Sequence, residues 1–404
     1  MPMAGRIERF LLNREGIEAF QEYWRHCRFL GFLLVVSLST PVAFSQLSTE
    51  DHLAESGFWP TQDTPSRDTF VGSERCARCH GVKAASQKRT PMAHAAMSAS
   101  LSDILHAHPL MVFGPGDYKY RIETKASQSR YSVSNGDQGR SFPLLWAFGT
   151  GRVGQSYLFK KQNADFFEAR VTYFETRGTI DFTPSRALLT PSNIEEAMDR
   201  PVPQGEVMRC FGCHTTGSSI GGRFDEAHLV PGVTCEACHG PGMGHVKSMT
   251  DETAASSVEE KPAIFNSAHL NPTDAVDFCG ACHGTWWDVK LAGVKGVSTV
   301  RSAPYRLVTS KCWGKGDARL TCTACHDPHE QLQTDAAAYD KACLKCHANK
   351  QGEGETAKHE GLACPVAIKR CTSCHMPKVY VPEMLNNFTD HRIRIVKAGA
   401  AFPD

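Results

Sequence analysis

Seven times the chain spells Cys-x-x-Cys-His, and no Cys-x-x-Cys in it lacks the following histidine. The copies are Cys76–Cys79–His80, Cys210–Cys213–His214, Cys235–Cys238–His239, Cys279–Cys282–His283, Cys322–Cys325–His326, Cys343–Cys346–His347 and Cys371–Cys374–His375. With 17 Cys and 18 His in 404 residues, chance would supply roughly 0.03 copies, so the repetition is not an accident of composition. The spacing is that of c-type haem attachment: two thiols form thioethers to the porphyrin vinyls and the adjoining imidazole reaches the iron. Zinc ribbons also use paired cysteines, but they have no need of a histidine after every second one. A disulfide framework gains nothing from that histidine either. The cofactor expectation is therefore seven covalently attached haems c, and a chain like this folds around them.

Haem changes what the rest of the composition implies. Hydrophobic residues make up 41% of the chain and the formal net charge is +1, which suits a soluble globular protein. Porphyrins bring apolar surface of their own, so a chain poor in long helices can still collapse. Seven ferric bis-imidazole haems with ionised propionates would add roughly seven negative charges. No basic stripe points to nucleic acid.

The N-terminal residues read as an export address. Arg25, His26 and Arg28 precede the apolar run 29–38, and Ala43-Phe44-Ser45 offers a cleavage site before Gln46. Residues 1–45 are thus expected to be a signal peptide, the run being short for a membrane span. The long extension before Arg25 leaves an uncleaved anchor as the alternative, the one case in which membrane contact is expected. Cys27 precedes the apolar run, which argues against lipoprotein processing. The expected location is the bacterial periplasm, with the cell surface or exterior as alternatives.

Motif density divides the remainder into a first haem segment (46–100), a haem-free stretch (101–200) and a six-haem cluster (201–404). In the middle stretch, Tyr118–Ile122 and Tyr131–Val133 alternate apolar and polar residues ahead of a turn signal at 134–137. Two further runs, 156–159 and 166–174, flank Gln162-Asn163-Ala164-Asp165 as a second hairpin. The expected fold class is a multihaem cytochrome c of short α-helices and irregular loops packed around haems, with a small antiparallel β insert over about residues 110–185. In the cluster, a short helix is expected at each motif and another over 335–344. Gly240-Pro241-Gly242 and Asn271-Pro272-Thr273 read as turns.

A haem with one protein ligand can do chemistry at its open face, whereas one with two mainly passes electrons. Beyond the proximal His80, His214, His239, His283, His326, His347 and His375, and His26 of the address, ten histidines remain. The distal candidates are His94, His228, His245, His269, His329, His359 and His391. His329 is too close in sequence to His326 to share its iron, so it is expected on a neighbouring haem, the one on Cys343 and Cys346. His245 follows the same logic after His239. Asp390 is placed to orient His391 or a neighbouring group. His52, His106 and His108 look spare, with His106-Ala107-His108 read as extended and solvated. Met92, Met97 and Met243 are weaker sixth-ligand alternatives, and Met376 is too close to His375 to serve. Cys312 and Cys364 lie outside the motifs; a disulfide and a thiolate ligand are both open readings. Trp286, Trp287 and Trp313 are expected to pack on porphyrin faces.

Several strings resemble multihaem cytochromes of the cytochrome c-554 type. They are Phe70–His80, Gly232–Gly242, the doubled motif from Cys322 through His347, and the closing pair Cys371–Pro377 with Thr389-Asp390-His391. The resemblance covers the haem-bearing parts and says little about residues 101–200. It implies closely stacked haems with mainly bis-histidine ligation. The group also includes oxidoreductases acting on small nitrogen or sulfur compounds, some marked by Cys-x-x-Cys-Lys, which does not occur here. The expectation is an exported heptahaem electron carrier with no catalytic residues, exchanging electrons with redox proteins or a quinol-oxidising complex. The alternative is an oxidoreductase with one five-coordinate haem.

Overall fold

Alternating side chains organise the chain from Ala96 to Pro201 into antiparallel strands: β1 (Ala96–Ser98), β2 (Leu110–Phe113), β3 (Lys119–Lys125), β4 (Gln128–Asn135), β5 (Gln138–Pro143), β6 (Trp146–Phe148), β7 (Ser156–Lys160), β8 (Phe166–Ala169), β9 (Val171–Phe174), β10 (Thr179–Phe182) and β11 (Asp199–Pro201). The computed structural model describes residues 66–136, 138–162, 165–250, 264–313, 320–347, 364, 366–397 and 399–403, all within one compact unit. The export address with its cleavage site, His52 and His359 lie outside the described residues.

Strands β2-β3-β4-β5 form one sheet in that order, and β1-β6-β7-β8-β11 form a second. In β3 and β4 every second residue turns inward: Tyr120, Ile122 and Thr124 on one, Ser129, Tyr131 and Val133 on the other. Thr124 and Ser129, the polar members of that inner face, satisfy each other through a 2.8 Å hydroxyl pair, so neither is left unpaired in the core. The β4–β5 turn falls at the expected place, with Gly136 at φ +54°, a conformation that suits a residue without a Cβ. The β3–β4 turn carries no such signal; Ala126 itself takes φ +52° there.

The second expected hairpin is present as β7 against β8, but the run 166–174 does not continue as one strand. Arg170 interrupts it. The residue is 2% exposed, its guanidinium donates to the carbonyls of Glu196, Arg186 and Leu189, and β9 leaves to pair with β10. The β region is thus larger than a small insert over 110–185. β1 and β11 extend it to 96–201, through pairing with β6 and β8 that short sequences such as Ala-Met-Ser do not announce. Its core runs from Ala99 to Met198 and includes Leu105, Ile122, Tyr131, Phe159, Val171 and Ile180, all buried.

Outside this region the chain is mostly short helices and turns. The helix Pro272–His283 corrects one turn expectation. Asn271 caps it, accepting from the Asp274 amide at 3.0 Å, and Pro272 sits in its first turn, where a missing N–H costs nothing. The expected helix at 335–344 is a 3-10 turn, Ala336–Tyr339, running into the helix Asp340–His347. His106 lies in a helix, Asp103–Ala107, rather than an extended segment; His108 follows it and packs on Tyr173, with ring centres 5.0 Å apart. A hairpin of Lys378–Val381 and Asn386–Thr389 closes the described chain before His391. Among the described residues no helix is long and apolar enough to cross a membrane.

The second motif is bolted to the sheets by the residue between its cysteines. Phe211, fully buried in the helix Gln204–His214, lies 5.2 Å from Trp146, 5.1 Å from Phe148, 5.5 Å from Phe166 and 4.8 Å from Phe224. Burying a ring of that size stabilises by about 1.5–3 kcal/mol.

Candidate haem-binding sites

Each motif places its two sulfurs and its imidazole at i, i+3 and i+4, which share one face of a helical turn. Six of the seven motifs lie in α-helix: Ser73–Gln87, Gln204–His214, Cys235–His239, Pro272–His283, Asp340–His347 and Cys371–His375. The fifth begins in a 3-10 turn, Cys322–Ala324. In the α-helical motifs the regular helix stops or kinks at the histidine: His80 is non-helical inside its helix, and His214, His239, His283, His347 and His375 are last residues. In the chain as translated the sulfurs are thiols, standing where thioethers form on attachment. Burial pushes the Cys210 thiol up to about 12 and the Cys238 thiol up to about 11, so both are neutral at neutral pH.

Sulfurs of different motifs lie close enough to shift one another's acidity. Cys76 meets Cys235, Cys213 meets Cys282, Cys279 meets Cys322 and Cys343 meets Cys371. Groups attached at these positions would stand next to one another.

Three proximal imidazoles face a second imidazole from a distant part of the chain. His80 faces His245 at 6.4 Å between ring centres, with planes 23° apart. His239 faces His329 at 6.1 Å and 8°, and His326 faces His391 at 6.2 Å and 45°. A metal held between two imidazoles, each bonded at about 2 Å, separates the ring centres by about 6 Å. The donor chemistry and the spacing therefore fit an iron between each pair.

Ring nitrogens not aimed at a metal are satisfied as metal-ligating histidines usually are. Nδ1 of His214 donates to the Ala95 carbonyl at 3.0 Å, that of His239 to Phe265 at 2.9 Å, that of His375 to Arg394 at 3.0 Å and that of His391 to Thr389 at 3.0 Å. Each leaves Nε2 available. Burial holds His214, His283, His326 and His391 below the ordinary histidine value, which keeps them in the neutral form that binds metal. His245 Nδ1 is buried with no polypeptide partner.

His329 differs from its sequence-based assignment. The ring it faces is that of His239, on the motif of Cys235 and Cys238, rather than His347 on the motif of Cys343 and Cys346. The sequence places His329 near the later motif, but the fold brings the third motif to it. Asp390 also acts differently from an orienting partner of His391. It is fully buried and takes a two-pronged ion pair from buried Arg306, at 2.8 and 3.0 Å. Arg394 adds a second cation at 2.5 Å. Burial pushes the Asp390 carboxyl up, but the Arg306 pair, the Arg392 amide and Arg394 outweigh it and hold the acid below its usual range. The arrangement fixes the segment that carries both His391 and the Arg394 carbonyl against which His375 is set.

The remaining distal candidates have other placements. His94 uses Nε2 on the Lys88 carbonyl at 3.0 Å. His228 is exposed and pairs with Asp225 at 2.9 Å. His269 ends the turn Ser267–His269 just ahead of the fourth motif's helix. Met97 packs against the β core. No disulfide joins Cys312 to Cys364 in the described residues. Trp286 and Trp287 stack edge-on at 4.8 Å, partly exposed. Sequence reasoning missed Tyr339, whose ring stands edge-on to His326 at 5.5 Å, and Gly232. Gly232 has φ +77° and packs so closely on the Ala93 carbonyl that a Cβ would collide with it. Its conformation and close approach are what glycine permits.

Comparison with known proteins finds cytochromes. A family model described as cytochrome c554 and c-prime matches residues 185–240, the stretch holding the second and third motifs. The multiheme cytochrome MtrA of Shewanella baltica (strain OS185) is 25% identical over 214 residues, covering 41% of this chain and 61% of that protein. The chain therefore spans about three-fifths of that relative's length. The crystal structure of the outer cell wall cytochrome OcwA is similar with a TM-score of 0.42 at 14% identity, over 81% of this chain and 80% of the other.

Proposed function

We propose that this chain, a multihaem c-type cytochrome, is an exported electron carrier whose seven motifs each hold one haem c, mainly with histidine on both faces. Haem c supplies reversible one-electron chemistry at iron; the polypeptide supplies spacing, ligation and surroundings. The observation that carries the reading is the set of three opposed imidazole pairs, 6.1–6.4 Å apart. In each pair one member is a motif histidine. The other lies just past a later motif: His245 beyond His239, His329 beyond His326 and His391 beyond His375.

These pairs support a row in which the first, third, fifth and seventh motifs are linked in turn. The sulfur contacts support branches from it. The second motif touches the fourth, the fourth touches the fifth and the sixth touches the seventh. A continuous row suits conduction between redox partners at separate surfaces. Export of the mature chain from residue 46 belongs to the same proposal, because the attached cofactor calls for an oxidising compartment on the far side of the inner membrane.

The test is spectroscopic and uses the purified holoprotein. A pyridine haemochrome assay should count seven haems per chain, and the resting spectrum should be low-spin. His245→Ala, His329→Ala and His391→Ala should each convert one haem in seven to a high-spin, carbon monoxide-binding form. A wild-type protein with a clear high-spin component would instead favour catalysis at an open iron. Three variants with unaltered spectra would overturn the ligand assignment.

A further inference from the structure

The segment Cys325-His326-Asp327-Pro328-His329 carries a carboxylate between two imidazoles. Asp327 Oδ1 accepts from His329 Nδ1 at 3.0 Å and from the His329 amide at 2.9 Å. Its other oxygen meets Lys83 Nζ at 2.7 Å. Lys83 lies just past His80 on the helix Ser73–Gln87. Buried Ser86 of the same helix donates to the His329 carbonyl at 2.6 Å, and Gln331 donates to the Arg89 carbonyl at 2.9 Å. The first motif's helix thus clamps the segment whose imidazole faces the third motif. The rings of His239 and His391 donate to neutral backbone carbonyls; His329 donates to a carboxylate.

We propose that Asp327 and Lys83 form a charge pair that tunes the electron affinity of the site on Cys235 and Cys238 through His329, each pushing in the opposite direction. The proposal rests on the reading of His329 as the second ligand of that site. A carboxylate draws the Nδ1 proton toward itself and makes the ring a stronger donor through its other nitrogen. Stronger donation favours the oxidised metal, so Asp327 lowers the potential. The Lys83 ammonium withdraws part of that charge from Asp327 and raises the potential again. Both side chains are about half exposed, and water screens the pair, so the shifts are expected to be modest and confined to one haem.

Asp327→Asn and Lys83→Met, the latter keeping the aliphatic stem, would be made in the holoprotein and titrated potentiometrically with haem-resolved NMR or EPR detection. Asp327→Asn should raise the midpoint of one haem in seven, Lys83→Met should lower that same midpoint, and the double variant should lose the lysine effect. A merely structural clamp would, when loosened from either side, shift the site in one common direction or disturb the first and third sites together. Same-sign shifts, spread shifts or no shift overturn the inference. His329→Ala separates the two levels of argument. If it produces no high-spin haem, the ligand reading itself fails. If it does, and the opposed shifts are missing, the tuning alone fails.

Discussion

The β region and the motif-bearing region are held together by different means. Between Ala99 and Met198 a continuous set of apolar side chains closes on itself, with several buried polar groups paired within it and the Tyr157 hydroxyl buried among them without a hydrogen-bond partner in the described residues. Beyond Phe265 the buried apolar residues described are fewer: Val300, Val381 and Met384 form one small cluster, beside Val276, Val289, Tyr305 and Leu307. What converges there instead is imidazoles, sulfurs and one buried ion pair. The first region is specified by side-chain packing; on the proposed reading the second is specified by ligation geometry. Stability in the one should therefore be insensitive to the cofactor, and in the other should depend on it.

The largest expected effect breaks that comparison outright. When the chain is produced without haem attachment, hydrogen exchange should remain slow in β3 and β4 and become fast across residues 264–397. Equal protection in both regions would show that the motif region has a side-chain core of its own. Next in size are two single-site changes, one on each side of the divide. Phe211→Ala should cost about 3–5 kcal/mol by emptying the aromatic cluster that joins the second motif to the sheets. Arg306→Met should cost a similar amount, about 3–5 kcal/mol, by leaving Asp390 buried with one cation fewer. Denaturant unfolding of the holoprotein measures both, and the spectrum distinguishes them. The arginine variant should perturb the haems served by His391 and His375, whereas the phenylalanine variant should leave those two unchanged.

The smallest expected effect belongs to exposed ion pairs in and at the edge of the β region. Glu195 is held below its ordinary value first by the Arg140 hydrogen bond, and Glu206 first by the Arg200 hydrogen bond. A carboxyl whose folded value is depressed adds stability above its unfolded value, and loses it as pH falls through the folded one. Acid titration should therefore weaken these contacts below about pH 4, and Glu195→Gln should flatten that part of the curve. Each pair is worth under about 1 kcal/mol at such exposed positions.

The two regions also differed in how far the sequence disclosed them. Alternation around Tyr120, Ile122, Tyr131 and Val133 located β3 and β4, because a strand's period is local. The β1 and β11 pairings escaped notice because three-residue strands carry too little pattern. Asn271-Pro272 has the composition of a turn, although the same residue types open helices; the apolar positions downstream are too few to decide. In the motif region the sulfurs and proximal histidines were evident from spacing alone. The second imidazoles were not assignable in the same way. Nearness in sequence pointed His329 toward the motif at Cys343, whereas its facing ring is His239, brought there by the helix at Lys83 and Ser86. In sequence Asp390 stands out only beside His391; its buried partner Arg306 lies 84 positions away, where no local pattern reaches.

The order of the opposed imidazoles carries a consequence for how such a chain is made. His245 comes after His80, His329 after His239 and His391 after His326. On the proposed reading, in which the chain is exported N-terminus first, each attachment motif would emerge before the imidazole that opposes its histidine. Maturation would then run like a zip fastener, each newly arrived stretch sealing a station laid down earlier. A chain halted midway would keep its earliest stations sealed and leave its most recent one open.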